Sequence, residues 1–285
     1  MGYGKYKSLI IILFDKMKEG ISFIVRIRDE EETLEESIRS LFVIQVPHEI
    51  LLILHLCKDR SKEIAETLAK ENPNIRIIEY LTPISRPGYE MLCTDVNSPH
   101  SIPSYYYWCY SQAKFPWKFK WDADFIATDS LINCINTNGW VEDKTKSHEL
   151  YLNAVSPDNL INTERYLISG RYLFNKYYFW ECIIIPEPNL TLYWDVNIIH
   201  KSKISNKKKY WEYTPWFLDI EYLKSHPEHY EEAIRVAKRY VHLIEICGPE
   251  PNGQARAMNP EDTPVFNKVV SNLETLKKFD IDPSI

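Results

Sequence analysis

The stretch KFKWDADFIATD, Lys118 to Asp129, sets two aspartates, Asp122 and Asp124, directly after an alternating apolar run. In a strand, side chains two positions apart share a face. Both carboxylates are therefore expected to point one way, and Trp121, Ala123 and Phe125 the other way, into a core. Two like charges a few ångströms apart repel and need a compensating partner, of which a cation is the simplest. A solvated strand end or a turn is the plainer alternative. Two further groups carry possible chemistry. Arg26 and Arg28 close the apolar run GISFIVRI, where guanidinium groups suit phosphate; ion pairs with the acids that follow compete equally. His226 and His229, three apart, could share a helix face and a metal, but Ser225, Pro227 and Glu228 make the same stretch read as a capped helix start.

The elements that must position these residues follow from hydrophobic spacing. GISFIVRI (Gly20–Ile27), EILLILHL (Glu49–Leu56) and IRIIEYL (Ile75–Leu81) are short apolar runs, hence buried strands. Between them, Leu34, Ile38, Leu41 and Phe42 recur at helical spacing, with Thr33 and Glu36 in a capping-box pattern and acids at the helix start. SKEIAETLAKE is a second helix, ended before Pro73. Strand, helix, strand, helix, strand with short joins predicts a mainly parallel sheet covered by helices. Right-handed crossovers put the strand carboxyl ends on one edge, where ligands bind. Arg26, Arg28, Asp29, His55 and Asp59 fall at those ends, and FKWDADF is expected as the fourth strand. A Pro-bearing loop, Thr82–Pro103, and an aromatic helix, SYYYWCYSQAK, precede it. Later, YLISGRYLFN and NLTLYWDVNIIH read as strands, and PEHYEEAIRVAKRYVHLIEI and VFNKVVSNLETLKKF as helices, with a long loop between the helices.

The chain has 285 residues, 45% hydrophobic and 26% charged, enough for one large core or two joined domains. Its net charge of −6 argues against a nucleic-acid groove; NKKKY, Asn206–Tyr210, is a local basic spot on an expected solvated loop. Six scattered cysteines without a CxxC are expected as reduced thiols. SLIIILF is too short to span a membrane and lacks a cleavage site, so a cytoplasmic protein without a transmembrane segment is expected.

FIVRIRDEEETLEESIRSL followed at a distance by KWDADF resembles the first half of GT-A glycosyltransferases, nearest to the inverting glycosyltransferase family 2, over Gly20–Leu131. The resemblance implies an α/β, Rossmann-like GT-A fold with a mainly parallel central sheet and a C-terminal helical extension. It implies a nucleotide-sugar half, 1–130, ending in Asp-x-Asp, and an acceptor half, 131–285, within one continuous domain. It implies a divalent metal, Mn2+ or Mg2+, bound by Asp124 with Asp122 on ribose or metal-bound water, and His200 as a third ligand. Glu30, Arg26, Arg28, His55 and Asp59 are then donor-binding candidates. LHLCKDRS stands where the family commonly has Asp-Asp-Gly-Ser, so the nucleobase contact falls to Asp59 or His55. A general base is expected at Glu181, among aromatics, or at Asp195; burial beside Trp would raise either carboxylate pKa. Trp211, Tyr213 and Trp216 could form a sugar-stacking wall.

The function so implied is metal-dependent transfer of a sugar, of the hexosyltransferase kind, from a nucleotide-diphosphate donor, UDP-linked, to a hydroxyl of a glycan or protein acceptor, with inversion. The alternative is a degenerate domain that binds nucleotide sugar or glycan without turnover. A haloacid-dehalogenase-like phosphatase also uses Asp-x-Asp but wants Thr or Val where Ile126 stands, on a first strand. A nucleotidyltransferase wants a Gly-rich loop that RDEEE lacks.

Overall fold

The computed structural model describes residues 20–86, 88–115, 117–137, 147–155, 161–168, 191–201 and 214–248. Glu181, the basic run at 206–210, Trp211, Tyr213 and the loop and helix expected after Gly248 lie outside the described residues. Two compact units emerge. The first takes 1–81 and 107–206, and the second takes 82–106 and 207–285. The halves 1–130 and 131–285 of the sequence reading are functional halves and do not follow these packing units.

In the first unit, β1 (Ile21–Ile27), β2 (His48–His55), β3 (Ile75–Tyr80) and β4 (Trp117–Asp122) form a parallel sheet in the order β3-β2-β1-β4. This is the α/β, Rossmann-like architecture expected from the alternation of apolar runs and helices. α1 (Leu34–Arg39), α2 (Ser61–Glu71) and α5 (Asp129–Asn136) supply Leu34, Ile38, Ala65, Leu68, Leu131, Ile132 and Ile135 to one face of it. Phe23, Phe119 and Trp121 stand on that face, with Phe125 beside Trp121; successive ring centroids lie 5.3 to 5.9 Å apart, mostly edge to face. Burying such rings on a helix-covered face is the main reason β4 docks beside β1.

The opposite face carries a polar stripe. Near the amino ends of the strands, buried Glu49 accepts from Ser22 Oγ at 2.6 Å, from Arg76 Nε at 3.1 Å and from the Lys114 amide. Toward the carboxyl end, Tyr80 packs against Trp108 of α4 (Ile102–Ser111), ring centroids 4.8 Å apart.

One expectation is corrected. FKWDADF is not a single strand: β4 ends at Asp122, Ala123 and Asp124 form a turn, and β5 (Phe125–Ala127) enters a second sheet. That sheet has the order β5-β8-β6-β7, with β6 at Ser147–Val155, β7 at Ile161–Ile168 and β8 at Thr191–Lys201. β8 runs antiparallel to β5, pairing His200 with Phe125, and the Lys201 amide donates to the Asp124 carbonyl at 2.9 Å. The turn is how the chain leaves one sheet for the other. Trp121, Ala123 and Phe125 are nonetheless all buried.

Two caps also differ. Thr33 makes no capping bond at the start of α1; the Glu30 carbonyl closes that turn by accepting from the Thr33 and Leu34 amides. Ser225 Oγ donates back to the Glu221 carbonyl within α6 (Ile220–Ser225) rather than capping the next helix.

The second unit packs α3 (Tyr89–Cys93) and the long C-terminal α7 (Tyr230–Cys247) around Trp216, Phe217, Leu218 and Leu223. Trp216, a candidate for a sugar-stacking wall, is core here. Its ring lies flat on fully buried His100, centroids 3.6 Å apart, while its indole N–H donates to Ser85 Oγ at 3.1 Å. His100 Nδ1 faces the Pro83 carbonyl at 2.7 Å and therefore carries the proton. Burial, with smaller effects from His229 and His226, lowers its pKa to about 4. A depressed histidine pKa means the unfolded chain binds more protons between the two pKa values, so stability is full above the unfolded value near 6.5 and is lost as pH falls toward 4. The full loss is roughly 3 kcal/mol. Burial lowers His48 as well, with the same sign. His100→Phe keeps a ring on Trp216 and removes this titration. Melting temperatures from pH 7.5 to 4.5 are expected to fall clearly less steeply in the variant; an unchanged slope would assign the acid sensitivity elsewhere.

Among the described residues, no helix is long and apolar enough to cross a membrane.

Candidate functional site

The strand order fixes where a ligand can enter. From β1 the chain steps outward to β2 and β3, then returns to the other side of β1 as β4. The connections therefore diverge between β1 and β4, and at such a point the loops leave a crevice outside the strand carboxyl ends. Arg26 and Asp122 are register partners across that junction. Arg26 Nη2 donates to Asp122 Oδ1 at 3.1 Å, and Lys120 Nζ donates to Asp122 Oδ2 at 3.1 Å. Lys120 comes from the same strand, two residues back and hence on the same face. The side chains are 15%, 4% and 28% exposed for Arg26, Lys120 and Asp122, so the cluster lies half sheltered from water. The charge that Asp122 was expected to balance with a cation is balanced by two cations of the chain itself.

The end of β4 is pinned from behind. The Trp121 indole donates to Ser37 Oγ at 3.0 Å, and Ser37 Oγ lies 3.4 Å from the Asp122 carbonyl. The Ala127 amide donates to Ser40 Oγ at 3.0 Å, which ties β5 to the end of α1. Asp124 sits in the turn, half-buried.

The loops after β1 and β2 are stitched to each other. Asp29 has a left-handed backbone, φ 57°, and is buried. Its Oδ1 accepts from the Lys58 amide at 2.6 Å and the Asp59 amide at 3.2 Å. Asp59 answers in the other direction: Oδ2 accepts from the Glu31 amide at 2.9 Å and Oδ1 from the Ser61 amide at 2.9 Å. The Glu30 amide donates to Ser61 Oγ at 2.7 Å. Asp59, a nucleobase candidate from sequence, thus has both carboxylate oxygens on backbone amides. His55, the other candidate, is 2% exposed at the end of β2 and sits edge-on to Tyr80, centroids 5.9 Å apart. Arg28 and Glu30 lie half-buried in the loop after β1.

Of the remaining candidates, Asp195 and His200 lie on β8; His200 is held opposite Phe125, one residue beyond the Asp124 turn. The structure thus brings Arg26, Asp122 and Asp124 to one edge, with Asp59 and Glu30 on the neighbouring stitched loops. Lys120 was passed over in the sequence, and Asp29 was placed at a strand end without a role. Lys120 was legible, because strand alternation puts it on the face of Asp122. A surface concavity lined by Asp95, Ser98, Glu232, Arg235, Val236 and Arg239 belongs to the second unit and holds none of the candidates.

Whether this edge fits a divalent cation turns on its donors. Mn2+ and Mg2+ take oxygen ligands. Each oxygen of Asp122 already faces a nitrogen cation, so a metal there would meet two fixed positive charges. Among the described residues, no group of three or more His, Cys, Asp and Glu side chains is arranged to hold a metal. Asp122 therefore has the surroundings of an ion-pair hub.

No protein-family model and no curated protein matches the chain. Among solved structures it is similar to S. aureus TarS 1–349, with 11% identity and a TM-score of 0.40, covering 90% of this chain and 80% of that one. The same protein in complex with UDP gives 11% and 0.40, with 91% and 90% covered. The mannosyltransferase PcManGT from Pyrobaculum calidifontis, in complex with GDP-Man and Mn2+, gives 12% and 0.40, with 90% and 73% covered. At that distance the likeness carries no argument, and the functional reading is built on this chain's own residues.

Proposed function

We propose that the chain is a glycosyltransferase that moves a sugar from a nucleotide-diphosphate donor to an acceptor hydroxyl. The observation that carries this reading is the Arg26–Asp122–Lys120 cluster at the divergence of β1 and β4, where parallel sheets bind ligands. A guanidinium held by a carboxylate at that edge suits an anionic diphosphate. The stitched loops carrying Arg28, Glu30 and Asp59 flank the same edge and are proposed to line the nucleoside, with Asp59 or His55 nearest the base.

In the reaction the acceptor oxygen bonds to the anomeric carbon, and the bond from that carbon to the diphosphate oxygen breaks. Its electron pair leaves with the diphosphate, and the acceptor proton passes to a base. Glu181 or Asp195 is proposed for that base, with inversion. A divalent metal, where bound, would shield the leaving diphosphate; Asp124 and His200 are the residues proposed to reach it. A UDP-linked donor and a glycan or protein acceptor complete the reading.

A second reading is a binding module that holds nucleotide sugar without turnover. The engagement of both Asp59 oxygens with backbone amides favours it. Calorimetry with UDP and GDP, followed by hydrolysis assays on a panel of nucleotide sugars, separates the two. Binding with donor cleavage is expected. Binding without cleavage of any donor would leave the module, and absence of nucleotide binding would overturn both.

A further inference from the structure

We propose that the concavity of the second unit is a saccharide-binding site, in which α7 and the segment after α3 hold one sugar ring by its hydroxyls. Asp95 and Ser98 line one side, and Glu232, Arg235, Val236 and Arg239 of α7 the other, around about 230 Å³. That is less than the roughly 300–1,000 Å³ of pockets for drug-sized ligands and suits a single ring. Both sides belong to the same unit, so the site is complete within it. The four α7 residues recur at i, i+3, i+4 and i+7, which sets them in one stripe along the helix. Opposite charges three or four apart on a helix ordinarily pair, as Glu221 and Lys224 do on α6 at 2.7 Å. Arg235 has Glu232 three residues back and Glu231 four residues back, yet it pairs with neither, and Arg239, four residues on, adds a like charge. Neither carboxylate of the lining is within ion-pair reach of either guanidinium. The charged groups face one space and leave it open.

Three of the groups are held in place with capacity to spare. Arg239 Nη1 donates to the Cys93 carbonyl at 3.3 Å, Asp95 Oδ1 accepts from the Asn97 amide at 2.8 Å, and Ser98 Oγ accepts from the His100 amide at 3.0 Å. The rest of the guanidinium fork, the second Asp95 oxygen and the serine hydroxyl proton remain for a ligand. Glu232 makes no hydrogen bond, and its Oε1 is closed off from water. Part of the cost of stripping water from that carboxylate is therefore met in folding, and a donor reaching its other oxygen gains correspondingly more. Guanidiniums only donate and carboxylates only accept. The two acids oppose a free anion, and the two arginines oppose a free cation. A hydroxyl both donates and accepts, so neighbouring hydroxyls can bridge guanidinium to carboxylate while Val236 meets the C–H face of the ring. A free amino acid carries both charges, but on adjacent carbons. Glu232 and Arg239 are about 10 Å apart along the helix axis, so a small zwitterion would satisfy one pair of groups and leave the others unmet.

The test titrates glucose, galactose, mannose, N-acetylglucosamine, maltose and lactose into the full chain by calorimetry and saturation-transfer NMR, beside glycine and inorganic phosphate. At least one sugar is expected to bind saturably with a Kd of about 1 mM or tighter, and glycine and phosphate are not. Glu232→Gln keeps the shape and removes the charged acceptor; Arg235→Met keeps the stem and removes the donor. Each is expected to weaken the sugar by about tenfold or more. Neither side chain makes a bond in the free chain, so melting temperatures are expected to hold, and UDP affinity with them. Sugar binding unaltered in both variants would place the sugar elsewhere and overturn the proposal. Saturation by no sugar of the panel would overturn it too, as would glycine binding that both variants abolish. The recognition draws on nothing at the nucleotide edge. Sugar binding that responds to both variants in a chain that binds no nucleotide would therefore support this site while sinking the glycosyl-transfer reading.

Discussion

Asp122→Ala is expected to lower the melting temperature markedly, by something on the order of 5–10 °C. The reason is what the carboxylate leaves behind. Lys120 is 4% exposed and Arg26 15% exposed, and both donate to it at 3.1 Å. Removing one member of a buried pair strands the opposite charge, typically at about 3–5 kcal/mol. Asp122 itself is 28% exposed, so solvent screens part of the loss, and about 2–3 kcal/mol is the reasonable expectation. The double variant Asp122→Ala with Lys120→Met should recover more than half of the loss, because the stranded ammonium is gone. Thermal and urea unfolding of these two variants and of single Lys120→Met, beside the parent, close a double-mutant cycle. The metal-ligand reading makes the opposite forecast: relieving repulsion between two acids should leave the fold as stable or more so. Asp122→Ala melting at or above the parent would therefore refute the ion-pair hub.

The second large effect is expected at Asp29, a residue with no assigned chemistry. Asp29→Ala removes the acceptor for two amides, those of Lys58 and Asp59. It also places alanine at φ 57°, where a Cβ without a polar side chain costs about 1–2 kcal/mol. Amides left without an acceptor add about 1–3 kcal/mol. Asp29→Asn keeps an oxygen and tolerates the left-handed region, so it should retain most of the stability. Asp29→Gly should fall between, relieving the backbone but not the amides. If the stitched loops line the donor, nucleotide affinity should follow the same order. Affinities unchanged across all three, with stability ordered as expected, would detach these loops from the site. Equal melting temperatures for Asn and Ala would refute the stitch itself.

The sheet was legible because its strands announce themselves. LLIL and FIV are apolar without interruption, as strands covered on both faces must be, and their parallel arrangement followed from the short joins through helices. The turn at Ala123–Asp124 was read only as the plainer alternative to a continuous strand. Phe125 and Ile126 continue the apolar alternation, and only pairing with β8, some seventy residues later, pulls them into another sheet. The charge on Asp122 was legible as a problem; of its solution only Lys120 could be read, from strand alternation, because Arg26 is distant in sequence. Asp59 looked like a ligand because the same short carboxylate that accepts from a base accepts equally well from an amide in a tight loop. The two-unit division was hidden for another reason: Thr82–Tyr106 and the C-terminal segment belong together only through tertiary packing around Trp216.

The position of β4 beside β1 also says when the site can exist. Arg26 and Asp122 are 96 residues apart, while β1, β2 and β3 pair between near neighbours along the chain. Closing so long an excursion is entropically dearer than joining adjacent strands, and distant pairings form slowly. A chain emerging from the ribosome could thus assemble the first three strands and their helices well before Lys120 and Asp122 have been synthesised. Until the fourth strand docks, Arg26 has neither its carboxylate nor the neighbouring ammonium, and the ion-pair cluster is missing. If nucleotide binds at this edge as proposed, its affinity is gained in the last step of sheet assembly, so ligand added during refolding should accelerate none of the earlier steps and trap only the completed sheet.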